Sequence, residues 1–319
     1  MGSMFQSIAP GPEEGMRAYM APSLFQPHNA RQAIRDAHEK KIPALIGYYA
    51  GLSSIPITRY LAPMGYDVVW IDWEHTSCDV ETMTTVGDFL TPAVAESLGR
   101  EWHAKMVHET MFMSGGRTIP FVRVPGHDHA AIGFALDAGA SIVIPQVETV
   151  EQAKHVVSSA KFGTRQRGTR SAPPFRLVPG LTDMAADGKR DVWQNWNDQA
   201  AIMIQIETLE GINNLDAILT EVPDIDVVWL GSLDCRISMN LPANYGQGDE
   251  PEWKAAVEKF NSTVKKHNKP RAGFCLTGGQ DLAKMAEDNA LLIHAADVLK
   301  LYEMGPQLLA AREAVALKK

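Results

Sequence analysis

From residue 29 onward, short apolar runs alternate with longer stretches in which apolar positions recur at helical spacing. The runs cover residues 43–49, 67–72, 118–123, 141–147, 202–207, 226–231, 271–275 and 291–295. Each is a short apolar run of the kind that is buried on both faces in a parallel sheet. Between them, helices are predicted over 30–40, 128–138, 149–161, 211–221, 252–267 and 280–289. Asn29 can cap the first of these, and Thr149 followed three positions later by Gln152 is a capping-box pattern. Eight strands separated mostly by helices suit a closed α/β barrel, the (β/α)8 or TIM barrel, better than an open doubly wound sheet of the same size.

The first 28 residues break this rhythm. They carry Pro10, Pro12, Pro22 and Pro27 and little periodicity. Residues 1–4 read as a cloning remnant before a native methionine, and the rest as an arm or strap lying on the barrel. Residues 29–319 are then read as a single barrel domain. Two excursions, 96–117 and 163–200, are longer than simple connections need and are expected to form lids, Ω-loops or subunit contacts.

Composition narrows the picture. At 319 residues the chain could hold two domains of about 150 residues, but a single barrel of about 250 residues is the common exception. With 45% hydrophobic and 21% charged residues, it has the makings of a large core and needs no disulfide staples. Thirty basic residues against 38 acidic ones leave a net charge of −8, which argues against nucleic acid as a partner. Cys78, Cys235 and Cys275 are three in number and far apart, which fits a reducing compartment. There is neither an apolar run of about 18 residues nor a leader-like start. The expectation is a cytoplasmic protein that does not engage membranes.

In a barrel of this kind, chemistry is expected at the C-terminal ends of strands. The second strand ends Asp72-Trp73-Glu74-His75, two carboxylates and an imidazole in four residues. A carboxylate beside a histidine can fix its tautomer and keep it basic enough for proton transfer near neutrality. Arg123 alternates with Val122 and Val124, so it faces one side of a strand made for burial. An inward guanidinium needs an anion, either a ligand carboxylate or an internal strand carboxylate. Gln205 and Glu207 share a face of the fifth strand, with Glu207 at its mouth. The sixth strand ends Gly231-Ser232-Leu233-Asp234, placing a second carboxylate at the neighbouring mouth. Two carboxylates without Cys or His at ligand spacing suit a hard divalent cation held partly by water and substrate, although an N-cap for Asp234 and a salt bridge for Glu207 remain open. Weaker candidates are the basic loop 163–168, Gly278-Gly279 as a turn or phosphate site, and His103, His108 and His294. Trp193 and Trp196 are expected to pack a long loop.

Taken together, Asp72-Trp-Glu-His75, Val122-Arg-Val-Pro125, Ala135–Ala140 with Ile144–Glu148, Gln205–Thr208 with Glu210–Asn213, and Gly231–Asp234 resemble the HpcH/HpaI aldolase family. The resemblance runs from about Asn29 to Gly305. It implies metal-dependent class II aldolase chemistry on a 2-oxo acid such as pyruvate or oxaloacetate, with an aldehyde or other electrophile as second substrate. It also implies a homo-oligomer, a hexamer or a dimer-based assembly, in which the C-terminal helix is swapped between subunits. By position, Glu207 and Asp234 match the ligands of a divalent metal, Mg2+ before Mn2+ or Co2+. His75 matches an acid/base histidine with Asp72 as its carboxylate partner, and Arg123 a residue that holds the 2-oxo acid and steadies its enolate. Gln205, Ser232 and the backbone of Leu233 and Asp234 match substrate-binding positions. This chain has Gly231-Ser-Leu-Asp-Cys235 where the family usually has Gly-Pro-x-Asp-Leu, and Asn240 where a glycine is common, both near the substrate mouth. A citrate-lyase-like acyl-CoA lyase is the nearest alternative, distinguished by turnover of CoA thioesters. A non-catalytic metabolite-binding barrel is another, and a proton-transfer group beside a metal argues against it.

Overall fold

The computed structural model describes residues 15–20, 26–52, 54–76, 78–83, 106–163, 167–173 and 191–316. Eight parallel strands close in sequence order into a barrel: β1 (Leu45–Ala50), β2 (Val68–Asp72), β3 (Ile119–Arg123), β4 (Ser141–Ile144), β5 (Ile202–Ile206), β6 (Val227–Leu230), β7 (Arg271–Phe274) and β8 (Leu291–Ala296). These are the eight apolar runs of the sequence, trimmed by a few residues at their ends, and the (β/α)8 expectation is met. The helices are α1 (Ala30–His38), α2 (Ile55–Leu61), α3 (Val80–Met83), α4 (Met106–Met113), α5 (His129–Asp137), α6 (Val150–Ala160) and α7 (Val192–Gln199). After them come α8 (Leu209–Glu221), α9 (Ser232–Ser238), α10 (Pro251–Lys266), α11 (Gln280–Asp288), α12 (Asp297–Tyr302) and α13 (Met304–Ala314). The Asn29 cap and the Thr149–Gln152 capping box are both formed.

Strand alternation sorts the core into two sets. Val69, Ile71, Val122, Ile202, Ile204 and Val228 pack outward beneath the helices. Val68, Trp70, Ile119, Phe121, Met203 and Trp229 form the inner cluster, which α1 and Met16 join through Ala30, Ala33, Ile34 and Ala37. The inner parity then decides what reaches the other end of the barrel. Asp72 follows Trp70, Arg123 follows Phe121, Gln205 and Glu207 follow Met203, and Phe274 follows Ala272. The lumen is therefore apolar at the strand starts and polar at the strand ends.

Near the strand starts, Arg31 of α1 pairs with Asp226 at 2.5 Å, and the buried Lys161 donates to the backbone carbonyl of Asn197. Of the excursions, 106–113 forms α4 and 191–199 forms α7 with its cap; residues 96–105, which include His103, and 164–166 and 174–190 lie outside the described residues. Trp193 and Trp196 pack on Phe162 as expected. At the other end of the chain, α13 buries none of its side chains. Among the described residues no helix is long and apolar enough to cross a membrane.

Candidate active site

Asp72 and Arg123 are direct neighbours across β2 and β3. Their side chains meet through two parallel hydrogen bonds, Nε to Oδ1 and Nη2 to Oδ2, both 2.8 Å. This is the fork geometry that guanidinium and carboxylate favour. Tyr49, at the end of β1, donates its hydroxyl to Asp72 Oδ2 and accepts from Arg123 Nη2 at 3.3 Å. Burial alone would raise the Asp72 carboxyl, but the Arg123 guanidinium and the Tyr49 hydroxyl hold it below the usual carboxylate range. Desolvation works against the Arg123 charge, and Asp72 more than restores it.

This pairing corrects one expectation. Asp72 is engaged by Arg123, not by His75. The carboxylate beside His75 is Glu74, whose Oε2 lies 3.5 Å from His75 Nε2 and 3.2 Å from Arg123 Nη1. The reason is geometric: Asp72 is the last residue of β2 and turns into the lumen, while the chain has left the strand by His75, which is exposed. Burial raises the Glu74 carboxyl against the pull of Arg123 and His75. Of the two anions weighed for Arg123, the internal strand carboxylate is present.

Glu207 is buried at the end of β5. Its Oε2 accepts from the backbone N–H of Gln146 at 2.9 Å, and its Oε1 from Gln205 Nε2 at 3.1 Å. Gln146 makes the first contact from a left-handed backbone conformation, φ 49°. Gly231, at the end of β6, leaves the space Glu207 needs, since a Cβ there would lie 2.5 Å from Glu207 Cγ. Burial pushes the Glu207 carboxyl up to about 7, with the charges of Asp234 and Glu74 adding to the rise and Arg123 opposing it. Asp234 is exposed in the first turn of α9, whose N-terminus has no side-chain cap. The amides of Leu233 and Asp234 lie in that same uncapped turn, where backbone N–H groups lack helical acceptors. Ser232 Oγ is turned toward Gly246.

The donor set fits a hard cation. Among the described residues at this mouth, Glu207, Asp234, Glu74 and Asp72 offer carboxylate oxygens against the single guanidinium of Arg123. Gln205 Oε1 is buried without a hydrogen-bond partner and awaits a donor such as a bound water. Among the described residues no three of His, Cys, Asp and Glu converge as a metal cage. Two carboxylates would thus leave the remaining positions to water and substrate.

Other candidates fall away from this centre. His294 Nδ1 lies 2.9 Å from the Cys275 carbonyl. Gly278 and Gly279 form an open turn before α11. His108 lies on α4, and its side chain is outside what is described. Tyr49 and Phe274 were not singled out in the sequence, although both occupy inward positions at strand ends.

The family described as HpcH/HpaI aldolase/citrate lyase matches residues 45–295. Among curated proteins, the chain is 28% identical to a 4-hydroxy-2-oxo-heptane-1,7-dioate aldolase of Salmonella typhimurium, an alignment covering 90% of this chain and 97% of that one. Among solved structures, macrophomate synthase shares 29% identity at a TM-score of 0.77, covering 95% of this chain and 96% of that one. An HpcH/HpaI aldolase/citrate lyase family protein from Burkholderia cenocepacia shares 26% identity at a TM-score of 0.64, over 89% of this chain and 98% of that one.

Proposed function

This chain belongs to the HpcH/HpaI aldolase/citrate lyase family, and from that premise we propose that it is a metal-dependent aldolase that makes or breaks a carbon–carbon bond next to a 2-oxo acid. The observation that carries this reading is that Glu207 packs against Gly231, the residue that opens the turn carrying Asp234, in a chain whose residues 45–295 match this family. Glu207 and Asp234 would hold a divalent cation, Mg2+ first, which when bound supplies Lewis acidity toward a keto oxygen.

The chain's own groups do the rest. Arg123, locked in orientation by Asp72 and Tyr49, presents fixed positive charge to a developing enolate oxygen. The uncapped amides of Leu233 and Asp234 receive the carboxylate of the 2-oxo acid. Gln205 holds a water or ligand proton at its unpartnered Oε1. His75, exposed at the mouth with Glu74 Oε2 3.5 Å from its Nε2, moves a proton to or from the hydroxyl of the aldol partner.

The same enolate would arise from pyruvate by proton loss or from oxaloacetate by loss of carbon dioxide. Oxaloacetate decarboxylation after EDTA treatment, with Mg2+ or Mn2+ added back, tests the reading. Activity is expected to vanish and return; full activity without added metal would overturn it.

We further infer a homo-oligomer in the cytoplasm. What supports assembly is the exposure of Leu299 and Leu301 on α12 and of Met304, Leu308 and Leu309 on α13, an apolar run that its own barrel does not cover. A second copy receiving these helices would bury it.

A further inference from the structure

The mouth has two unlike halves. Strands β2, β3 and β5 turn charged or amide side chains into the lumen near their ends, whereas β1 and β7 turn in Tyr49 and Phe274. Phe274 is the most exposed of the lumen's large rings. Phe121, Trp70 and Trp229 are closed off at 0%, 1% and 2% exposure, yet Phe274 is 45% exposed.

It is also firmly seated. Its ring meets Trp229 edge-on at 5.0 Å and 86°, meets Tyr49 at 5.9 Å and 66°, and lies nearly parallel to Trp70 at 6.1 Å and 20°. A ring braced by three others and open above is a rigid apolar shelf, and little side-chain freedom is lost when something lands on it. Tyr49 links this shelf directly to the Arg123–Asp72 pair.

The geometry points to an electrophile that is an uncharged carbonyl compound with an apolar, planar substituent, the substituent resting on Phe274. This deepens the aldolase reading above and rests on it. A second carboxylate, by contrast, finds no unengaged guanidinium among the described residues at the strand ends. Arg123 is the one guanidinium among the described residues at the eight strand ends, and it is held by Asp72, Tyr49 and Glu74. Glu74, which stands outside the metal pair, would repel such a group. The bond forms between the methyl-derived carbon of the enolate and the carbonyl carbon, the carbonyl oxygen takes up one proton, and no oxidant or reductant is consumed.

The test uses the full chain with Mg2+ and pyruvate, comparing kcat/KM for benzaldehyde and for succinic semialdehyde. The unaltered chain is expected to favour benzaldehyde by about tenfold or more. Phe274→Ala is expected to lower that ratio about tenfold, chiefly through the KM for benzaldehyde, and Phe274→Leu to lower it less. A preference of the unaltered chain for succinic semialdehyde, or an equal effect of the substitutions on both electrophiles, overturns the shelf. If Phe274→Ala does not fold, the Phe274→Leu ratio decides. Exchange of pyruvate methyl protons with solvent deuterium by the unaltered chain needs no electrophile. No exchange with metal present would refute the aldolase reading and this inference together, whereas exchange without aryl preference would refute the shelf alone.

Discussion

Asp72 and His75 are three residues apart in sequence, and that nearness made them look like partners. The partner that Asp72 takes is 51 residues away, because parallel register sets it opposite Arg123 and both turn inward. The site residues were legible as strand-end polar groups; which carboxylate served which cation was not, since sequence spacing carries no cross-strand register. The pair is closed to solvent, with side-chain exposures of 0% and 10%. Removing one member of such a pair strands the other charge. Asp72→Ala is therefore expected to cost about 3–5 kcal/mol, read as a lower urea midpoint, and to raise the KM for pyruvate. His75→Ala should behave differently. Its ring is exposed and outside the Arg123 pair, so metal and pyruvate binding by calorimetry should persist while aldol turnover falls about 10²–10⁴-fold. Unchanged turnover would remove His75 from proton transfer.

At the level of elements, all eight strands could be read because each is a short, dense apolar run bounded by a polar turn. The amphipathic helices were equally readable. Helix α2 was not, since it is short and opens Ile55-Pro56, and neither was α9, seven residues whose first turn serves the mouth and not the core. Phe274 escaped notice for a related reason: within Arg271–Cys275 it reads as one more core residue, and only barrel closure shows it open at the top. The β6–α9 junction offers a sharp test. Gly231 has an ordinary φ of −76°, so alanine there meets no backbone strain, but its Cβ would press on Glu207. Gly231→Ala should leave the far-ultraviolet circular dichroism unchanged and weaken Mn2+ binding about tenfold or more, roughly 1.4 kcal/mol. Equal Mn2+ affinity in the two proteins would show that Glu207 does not need that space.

Across the whole molecule, the two ends of the barrel differ, with the candidate site at the strand ends and a charge-laced seal at the strand starts. Lys161 belongs to the seal. Burial, aided by Arg31, pushes its amine from 10.5 down to about 8, against the pull of Asp226, Asp224 and Asp198. Between those two values the unfolded chain binds more protons than the folded one, so this group makes stability rise with pH across pH 8–10.5. Below pH 8 both states carry the proton and the gain is absent. Urea midpoints from pH 7.5 to 10.5 should show a slope, on the order of 1–3 kcal/mol in total, that Lys161→Met flattens; identical slopes would dismiss the effect. At the chain's other extreme, deleting residues 304–319 should shift sedimentation toward the monomer, and an unchanged assembly would mean that α13 is not a subunit contact. One feature ties that tail to the chemistry. The Asp297 carboxylate, at the start of α12, accepts from the backbone N–H groups of Gly51 and Leu52 as well as Val298. It therefore fastens the turn just past Tyr49 to the very segment that leaves the barrel. A neighbour gripping the tail would tauten the Tyr49–Asp72–Arg123 linkage, and dilution would slacken it, making catalytic power per subunit climb with protein concentration.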